Sequence, residues 1–240
     1  MEKIALVTGG SSGIGRAVTA ALAERGDTVL FTYRVPHGAV LTTEKVRDSG
    51  WEVRPVFCEL TDYAATRGLV RQIIEEFGRI DILVNNAGIS NTKKLEEIDE
   101  AEWDHMMDTN LKGTFFLTQA VFQEMKRNGY GRIVSIASVA GEQGGLYSGM
   151  HYSISKGGIL TMSRCFAREG APYGITSNVV SPGVVNTPMG REEGLPVDGI
   201  PLGRMAEPKE VAQAVAFLSS EGASYITGVT LDVNGGQMIR

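Results

Sequence analysis

The chain has 240 residues, of which 42% are hydrophobic and 21% are charged, and its net charge is −5. This length fits one large α/β domain, so we expect a single domain over residues 1–240. The acidic balance argues against nucleic-acid binding, and no apolar run is long enough to span a membrane. The N-terminus lacks a signal-peptide pattern, which makes a cytoplasmic location the expectation.

The first half of the chain alternates apolar runs with helical patterns. An apolar run at 3–8 stops at a glycine-rich turn, and a helical pattern then continues to Arg25, with Gly26 as its stop. The next predicted elements are a strand at 28–33, a helix at 39–49, a strand at 53–58, a helix at 62–77 between Asp62 and Gly78, and a strand at 82–84. This alternation predicts a parallel, doubly wound sheet.

The second half continues the same alternation. Asp99 and Glu102 have the spacing of a capping box that opens a helical region through Arg127, and Asn110 and Gly113 predict a bend within it. Further predicted elements are a strand at 132–137, a helix from about 152 to 169, a strand at 175–180, a helix at 208–219 and a strand at 229–233. The segment 189–200 is rich in Gly, Pro and charge, and we interpret it as a substrate lid.

Two cysteines are too few for a disulfide framework. Cys58 and Cys165 lie far apart, and their spacing fits no metal site. We therefore expect no metal, and we expect both thiols to be buried as small apolar side chains.

The turn after the first predicted strand has the spacing Gly9-x-x-x-Gly13-x-Gly15. Glycines let a backbone approach a pyrophosphate closely, and a helix N-terminus offers N–H groups and the positive end of its dipole. The spacing differs from the common G-x-G-x-x-G. Taken alone, such a turn is more often an ordinary loop.

The second predicted strand ends in Tyr33, and Arg34 follows it. In a dinucleotide fold this position faces the adenosine ribose, where an acid binds the 2′-hydroxyl and an arginine accommodates a 2′-phosphate. Tyr33 is not an acid, so we expect nothing there to repel a 2′-phosphate, and the pattern favours NADP over NAD. A solvated arginine is the alternative.

Tyr152 and Lys156 have the spacing that places two side chains on one helix face. A nearby cation favours the phenolate and moves the pKa of Tyr152 toward neutrality, which suits general acid–base catalysis. Ser138 follows a predicted buried strand, where its hydroxyl could hydrogen-bond a substrate oxygen. A solvated polar pair is the more common origin of Tyr-x-x-x-Lys alone. Tyr147 is an internal comparison, because His151 stands four residues after it.

Taken in order, the motifs resemble the short-chain dehydrogenase/reductase family across essentially the whole chain. They are Thr8-Gly9-x-x-x-Gly13-x-Gly15, Asn85-Asn86-Ala87-Gly88, Asn110, Ser138, Tyr152-x-x-x-Lys156, Pro182-Gly183 and Thr187. The resemblance implies an α/β Rossmann fold with a seven-stranded parallel sheet. It also implies reversible hydride transfer between a nicotinamide dinucleotide and a carbonyl carbon.

The resemblance further implies a catalytic tetrad. Tyr152 would protonate the carbonyl oxygen, and Ser138 would orient it. Lys156 would bind the nicotinamide ribose and lower the pKa of Tyr152, while Asn110 would hold a water in a proton relay to Lys156. The resemblance implies that Tyr152 and Lys156 also contact the cofactor. The other residues implied to contact it are Gly9, Ser11, Ser12, Gly13, Ile14, Gly15, Tyr33, Arg34, Glu59, Leu60, Asn86, Ala87, Gly88, Pro182, Gly183, Val185 and Thr187.

Within these contacts, Thr187 and the Val185 backbone would fix the carboxamide, and Asn86 would line the adenosine side. Two departures from the family pattern concern the adenosine end. Ser12 stands where many NADPH-dependent members carry an arginine, so Arg34 would be the main phosphate partner. Glu59 stands where Asp or Asn is commoner, although Leu60 would still offer its backbone to adenine.

Residues 225–236 most resemble 3-oxoacyl-[acyl-carrier-protein] reductases and acetoacetyl-CoA reductases. This resemblance implies NADPH-dependent reduction of a ketone that is part of a 3-oxoacyl thioester. It leaves open whether acyl carrier protein is the partner that carries this thioester. By the same resemblance, Gly129 and Tyr173 stand where carrier-protein reductases often carry docking arginines. Residues that could replace those arginines are Lys126, Arg127, Arg191 and Arg204, although Glu192 and Glu193 oppose Arg191.

The resemblance also implies a homotetramer. Two helices carry more apolar residues than one sheet face should need, namely Phe115, Phe116, Leu117, Ile159, Leu160, Met162 and Phe166. The alternative is that all of these pack on the sheet. Two other functions stay open: a dehydrogenase of a small secondary alcohol or sugar, and a non-catalytic dinucleotide sensor, which retention of all four tetrad residues disfavours.

Overall fold

The computed structural model describes residues 2–145, 147–192, 194 and 196–239. Its strands are β1 (Ile4–Val7), β2 (Thr28–Tyr33), β3 (Val53–Phe57), β4 (Ile82–Asn85), β5 (Gly131–Ile136), β6 (Ile175–Pro182) and β7 (Thr230–Val233). They form one parallel sheet in the order β3-β2-β1-β4-β5-β6-β7. The predicted seven-stranded parallel fold is therefore confirmed.

Helices cover both faces of the sheet. They are α1 (Gly13–Glu24), α2 (Pro36–Asp48), α3 (Tyr63–Phe77), α4 (Glu100–Met107), α5 (Gly113–Asn128), α6 (Ala140–Gln143), α7 (Met150–Gly170), α8 (Pro188–Glu192) and α9 (Pro208–Leu218). None of the helices in the described part of the chain is long and apolar enough to cross a membrane.

The central strands are apolar on both faces because helices cover them on both sides. Leu6 and Leu83 face a core cluster that includes residues of α3, α5 and α7. Their neighbours Val7 and Val84 face the opposite cluster, which includes residues of α1 and α9. Successive strand side chains alternate between the two layers, and the short unbroken apolar runs in the sequence follow from this double burial.

The strand order places a crevice at the carboxyl edge of the sheet. The chain runs outward from β1 to β2 and β3 on one side, and from β4 to β7 on the other. In open α/β sheets, ligands bind where the order reverses. The segments that follow β1 and β4, which carry Gly9 and Asn86, lie at this point.

Most predicted bounds hold within a few residues, and the strand at 28–33 is matched at both ends. The helix predicted at 39–49 begins earlier because Pro36 occupies its first turn, where a missing N–H has no cost. The predicted bend is a π-helical turn, Asp108–Lys112. Of the predicted capping box, only the bond from the Glu102 N–H to Asp99 Oδ1 forms, at 2.9 Å, because the Glu102 carboxylate pairs with Lys93 at 2.6 Å.

Two further expectations need correction or restriction. Cys58 is buried as predicted, but Cys165 is exposed because it lies on the outer face of α7. In the segment 189–200 that was interpreted as a lid, residues 189–192 belong to α8, whereas positions 193 and 195 lie outside the described residues.

The apolar residues counted as excess mostly pack within the chain. Of the seven residues named in the sequence analysis, Phe115 on α5 is 39% exposed. Ile154 on α7, an additional apolar residue, is 42% exposed. Five of the seven counted residues are buried, namely Leu117, Ile159, Leu160, Met162 and Phe166. Packing against the sheet therefore explains most of the excess.

Candidate active site

The turn between β1 and α1 brings backbone close to backbone. Gly9 and Gly13 have φ values of 66° and 50°, which residues with a Cβ rarely adopt. A Cβ on Gly15 would lie 2.1 Å from the Gly9 carbonyl oxygen. Ser12 is the N-cap residue of α1 but makes no capping hydrogen bond with its side chain. Its hydroxyl therefore leaves the first-turn N–H groups to a bound phosphate.

Asn86 braces this turn from the end of β4. Its Nδ2 donates to the carbonyl oxygens of Thr8 at 2.9 Å and Gly9 at 3.1 Å, and its backbone N–H donates to Thr8 Oγ1 at 2.9 Å. The Thr187 methyl carbon lies 3.1 Å from where a Cβ on Gly13 would be. The segments after β1, β4 and β6 therefore meet around one space.

That space is a cavity of about 380 Å³ along the carboxyl edge of the sheet. Among the predicted site residues, Gly15 and Asn110 do not border it. Those that do are Gly9, Ser11, Ser12, Gly13, Ile14, Tyr33, Arg34, Glu59, Leu60, Asn86, Ala87, Gly88, Ser138, Tyr152, Lys156, Pro182, Gly183, Val185 and Thr187. The glycine turn and the uncapped helix end at one side of this cavity fit the pyrophosphate of a dinucleotide.

One end of the cavity lies where β2 and β3 finish. There Arg34 Nη1 is 3.5 Å from Glu59 Oε2, and the two side chains are 51% and 36% exposed. The expectation about the 2′-phosphate considered only the residue at position 33, whereas the structure also places the Glu59 carboxylate against Arg34 at this end of the cavity. The preference for NADP stays a prediction. The Tyr33 ring contacts Phe57 edge-on, with centroids 5.9 Å apart.

Lys156 lies at the other end, buried beneath Tyr152. It is only 6% exposed, and its Nζ donates to the Ile136 carbonyl oxygen at 3.0 Å. Burial lowers the pKa of Lys156 to about 8. Its Nζ is 5.8 Å from the centre of the Tyr152 ring. A cation at this distance stabilises a phenolate.

Ser138 is held at the start of the segment that follows β5. Its Oγ accepts the Ala140 N–H at 3.2 Å. Because that contact uses a lone pair of the hydroxyl, the hydroxyl hydrogen can be donated to a substrate oxygen. The side chain is half-buried and borders the same cavity as Tyr152.

Asn110 lies in the π-helical turn, and its side chain holds the chain after β4. Its Oδ1 accepts the Ile89 N–H at 2.8 Å, and its Nδ2 donates to the Ile89 carbonyl oxygen at 2.9 Å. A Cβ on Gly88 would lie 3.1 Å from Asn110 Oδ1 and 3.4 Å from Lys156 Nζ. Asn110 and Lys156 thus face the same small gap beside Gly88, and the water relay through Asn110 stays a prediction.

Thr187 closes the cavity from the segment after β6. Its N–H donates to the Val185 carbonyl oxygen at 2.7 Å, and its Oγ1 accepts the Gly190 N–H at 3.0 Å. This hydroxyl therefore caps the start of α8. A nicotinamide carboxamide would have to share it with that helix.

Several residues that border the cavity were missed by the sequence analysis. Gln143 and Met189 come from the short helices α6 and α8, which have too few residues for a helical period. Gln237 comes from near the C-terminus, and its Oε1 accepts the Val184 N–H at 3.1 Å. No pattern near residue 237 connects it to Val184, so only the fold reveals this contact.

Comparisons with known proteins identify the family of this chain. The short chain dehydrogenase family matches residues 3–196. The chain is 41% identical to the 3-oxoacyl-[acyl-carrier-protein] reductase of Escherichia coli (strain K12), covering 98% of this chain and 96% of that protein. It is 37% identical to the acetoacetyl-CoA reductase of Allochromatium vinosum, with 98% of each covered.

Solved structures of similar proteins superpose closely on this chain. A short-chain type dehydrogenase/reductase from Mycobacterium marinum superposes with a TM-score of 0.94 and 33% identity, covering 99% of this chain and 96% of that one. Levodione reductase superposes with a TM-score of 0.92 and 32% identity, covering 98% and 97%. The chain therefore belongs to the short-chain dehydrogenase family and is an NAD(P)-dependent oxidoreductase.

Proposed function

We propose that this protein uses NADPH to reduce a ketone carried as a 3-oxoacyl thioester to the secondary alcohol. The observation that carries the proposal is a buried Lys156 in one cavity with Tyr152 and Ser138. Burying an ammonium group destabilises the folded protein. Beside a phenol, that group has a use in acid–base chemistry.

In the proposed reaction each of the four tetrad residues has a separate role in reducing the carbonyl group. When bound, the nicotinamide dinucleotide supplies the hydride. Tyr152 donates its phenolic proton to the carbonyl oxygen, which Ser138 holds by a hydrogen bond. Lys156 stabilises the phenolate that remains. Asn110 fixes the position of the chain at Ile89, beside the gap through which a water could return a proton to Lys156.

The thioester is supported by the relatives and by the mouth of the cavity. The two relatives named above are reductases whose names specify 3-oxoacyl and acetoacetyl groups. Val184 and Met189 border the cavity on the side of α8, and Met189 is 40% exposed. These apolar side chains suit a short acyl chain.

Three of the four cations that could dock an acidic carrier protein already have partners within the chain. Arg127 pairs with Glu124 at 2.6 Å, and Arg204 pairs with Glu210 at 2.8 Å. Lys126 lies 4.3 Å from the Tyr173 ring centre. We therefore propose only a modest advantage for acyl carrier protein over coenzyme A.

We further propose that residues 1–240 form a single domain that assembles as a homotetramer. Phe115 and Ile154 are exposed apolar residues on α5 and α7, and burial against a second copy would remove them from water. In this proposal the segment 189–200 acts as the lid over the substrate.

The experiment presents one 3-oxobutanoyl group on three carriers, namely acyl carrier protein, coenzyme A and a short thioester, with NADPH oxidation as the readout. We expect turnover of all three and a carrier-protein advantage in kcat/KM of at most about tenfold. A large advantage that moderate salt abolishes would instead assign a dedicated carrier-protein enzyme. No turnover of any of the three would contradict the proposal and favour a dehydrogenase of small alcohols or sugars.

A further inference from the structure

We infer that Glu59 is a specificity-determining residue that weakens the selection of NADP over NAD by competing with the 2′-phosphate for Arg34. The inference rests on the proposed use of NADPH, and it identifies what limits that preference. It assigns Glu59 a role opposite to that of the arginine beside it.

The two side chains face each other across the end of the cavity. Arg34 Nη1 lies 3.5 Å from Glu59 Oε2, and both residues border the cavity. Two backbone hydrogen bonds fix the backbone around Glu59. The Cys58 N–H donates to the Tyr33 carbonyl oxygen at 3.2 Å, and the Asp62 N–H donates to the Glu59 carbonyl oxygen at 3.1 Å. The carboxylate therefore starts from a defined position beside the guanidinium.

Few positive side chains besides Arg34 are available to bind a phosphate in this cavity. Of the described residues that border the cavity, Arg34 and Lys156 carry the positive side chains, and Lys156 is bound to Ile136 at the other end. Ser12 contributes no charge at the start of α1. A 2′-phosphate at this end therefore depends on one guanidinium, which already has an acidic partner.

The competition has a predictable size. A phosphate within hydrogen-bond distance of Arg34 would lie roughly 6 Å from the Glu59 carboxylate, given the usual length of a charge-assisted hydrogen bond. Two negative charges at that separation, in a half-exposed site, weaken binding by about 3- to 30-fold. A ligand without the 2′-phosphate would not meet this repulsion, so the effect should be confined to phosphorylated ligands.

The test compares Glu59→Gln with the wild-type protein by calorimetric binding of adenosine 2′,5′-bisphosphate and adenosine 5′-monophosphate. We expect Glu59→Gln to bind the bisphosphate about 3- to 30-fold more tightly, with the monophosphate changed by less than about twofold. NADP and NAD should follow the same pattern. Added salt should reduce the gain.

Glu76→Gln is the matched control, because Glu76 forms an exposed pair with Arg54 at 2.5 Å and does not border the cavity. It should leave both affinities unchanged. Combining Glu59→Gln with Arg34→Ala should bind the bisphosphate more weakly than Glu59→Gln alone, because the phosphate then loses its guanidinium partner. Equal changes for the two ligands, or no change for either, would overturn the inference.

These binding measurements separate the inference from the proposed function. If no ketone thioester is reduced with either cofactor while the bisphosphate result holds, the proposed function fails and the inference about Glu59 stands. If thioesters are reduced but Glu59→Gln leaves the affinity for the bisphosphate unchanged, the inference fails alone.

Discussion

Replacing Lys156 with methionine should stabilise the protein while it impairs catalysis. Burial lowers the pKa of Lys156 from its ordinary value of 10.5 to about 8, which corresponds to about 3 kcal/mol of unfavourable burial at neutral pH. Methionine removes that cost but also loses the hydrogen bond from Nζ to Ile136, worth about 1 kcal/mol. The net gain is about 2 kcal/mol, or roughly 4–8 °C in Tm for a chain of this size.

The pH dependence has a definite sign. The folded protein releases the Lys156 proton near pH 8, whereas the unfolded chain keeps it to about 10.5. The unfolded state therefore binds more protons between these values, and wild-type stability rises with pH across this window. The advantage of Lys156→Met should accordingly shrink between pH 8 and 10.5.

Differential scanning calorimetry of the protein without cofactor measures both effects. Lys112→Met is the control, because Lys112 is exposed and pairs with Asp108 at 3.0 Å on the surface of the π-helical turn. It should not raise Tm. The reasoning fails if Lys156→Met lowers Tm at pH 7, or if its difference from wild type does not change up to pH 10.5.

Three other predictions concern cofactor binding, acid stability and assembly. Gly15→Ala should weaken NADP binding at least tenfold by calorimetry, because its Cβ would meet the Gly9 carbonyl oxygen, whereas Gly68→Ala, with nothing within 4 Å, should not. Burial lowers the pKa of His151, so wild-type Tm should fall below about pH 6.5 more steeply than that of His151→Gln, and parallel curves would refute this. Light scattering at micromolar concentration should give the mass of four chains, and Phe115→Glu should reduce it; a monomeric mass for the wild type would reject the tetramer.

Features encoded in consecutive residues could be predicted from the sequence. The strand at 28–33 is a continuous run of strand-forming residues with a turn on each side, and Gly78 ends α3 with a positive φ of 73°. The bend at Asn110 was recognisable because Asn and Gly are poor helix residues, although its π-helical form was not.

Features that depend on distant residues could not be predicted. The side chain of Asn110 bonds to Ile89, and Arg34 meets Glu59 only because β2 and β3 are adjacent in the sheet. Composition also cannot tell which face of a helix a residue occupies, which explains why the prediction for Cys165 failed. Sequence patterns therefore predicted most of the site residues that border the cavity, Glu59 among them, but not the contact between Glu59 and Arg34.

The central claim is that Tyr152 is the proton donor in a ketone reduction. The most direct measurement compares Tyr152→Phe with Tyr147→Phe in the reduction of acetoacetyl-coenzyme A by NADPH, together with the Kd of each variant for NADPH. Both tyrosines border the cavity, but Lys156 lies beneath the ring of Tyr152. We predict that kcat falls by about 10²–10⁴-fold for Tyr152→Phe with NADPH affinity retained, and by far less for Tyr147→Phe. Equal losses in the two variants, or full activity in Tyr152→Phe, would contradict the claim.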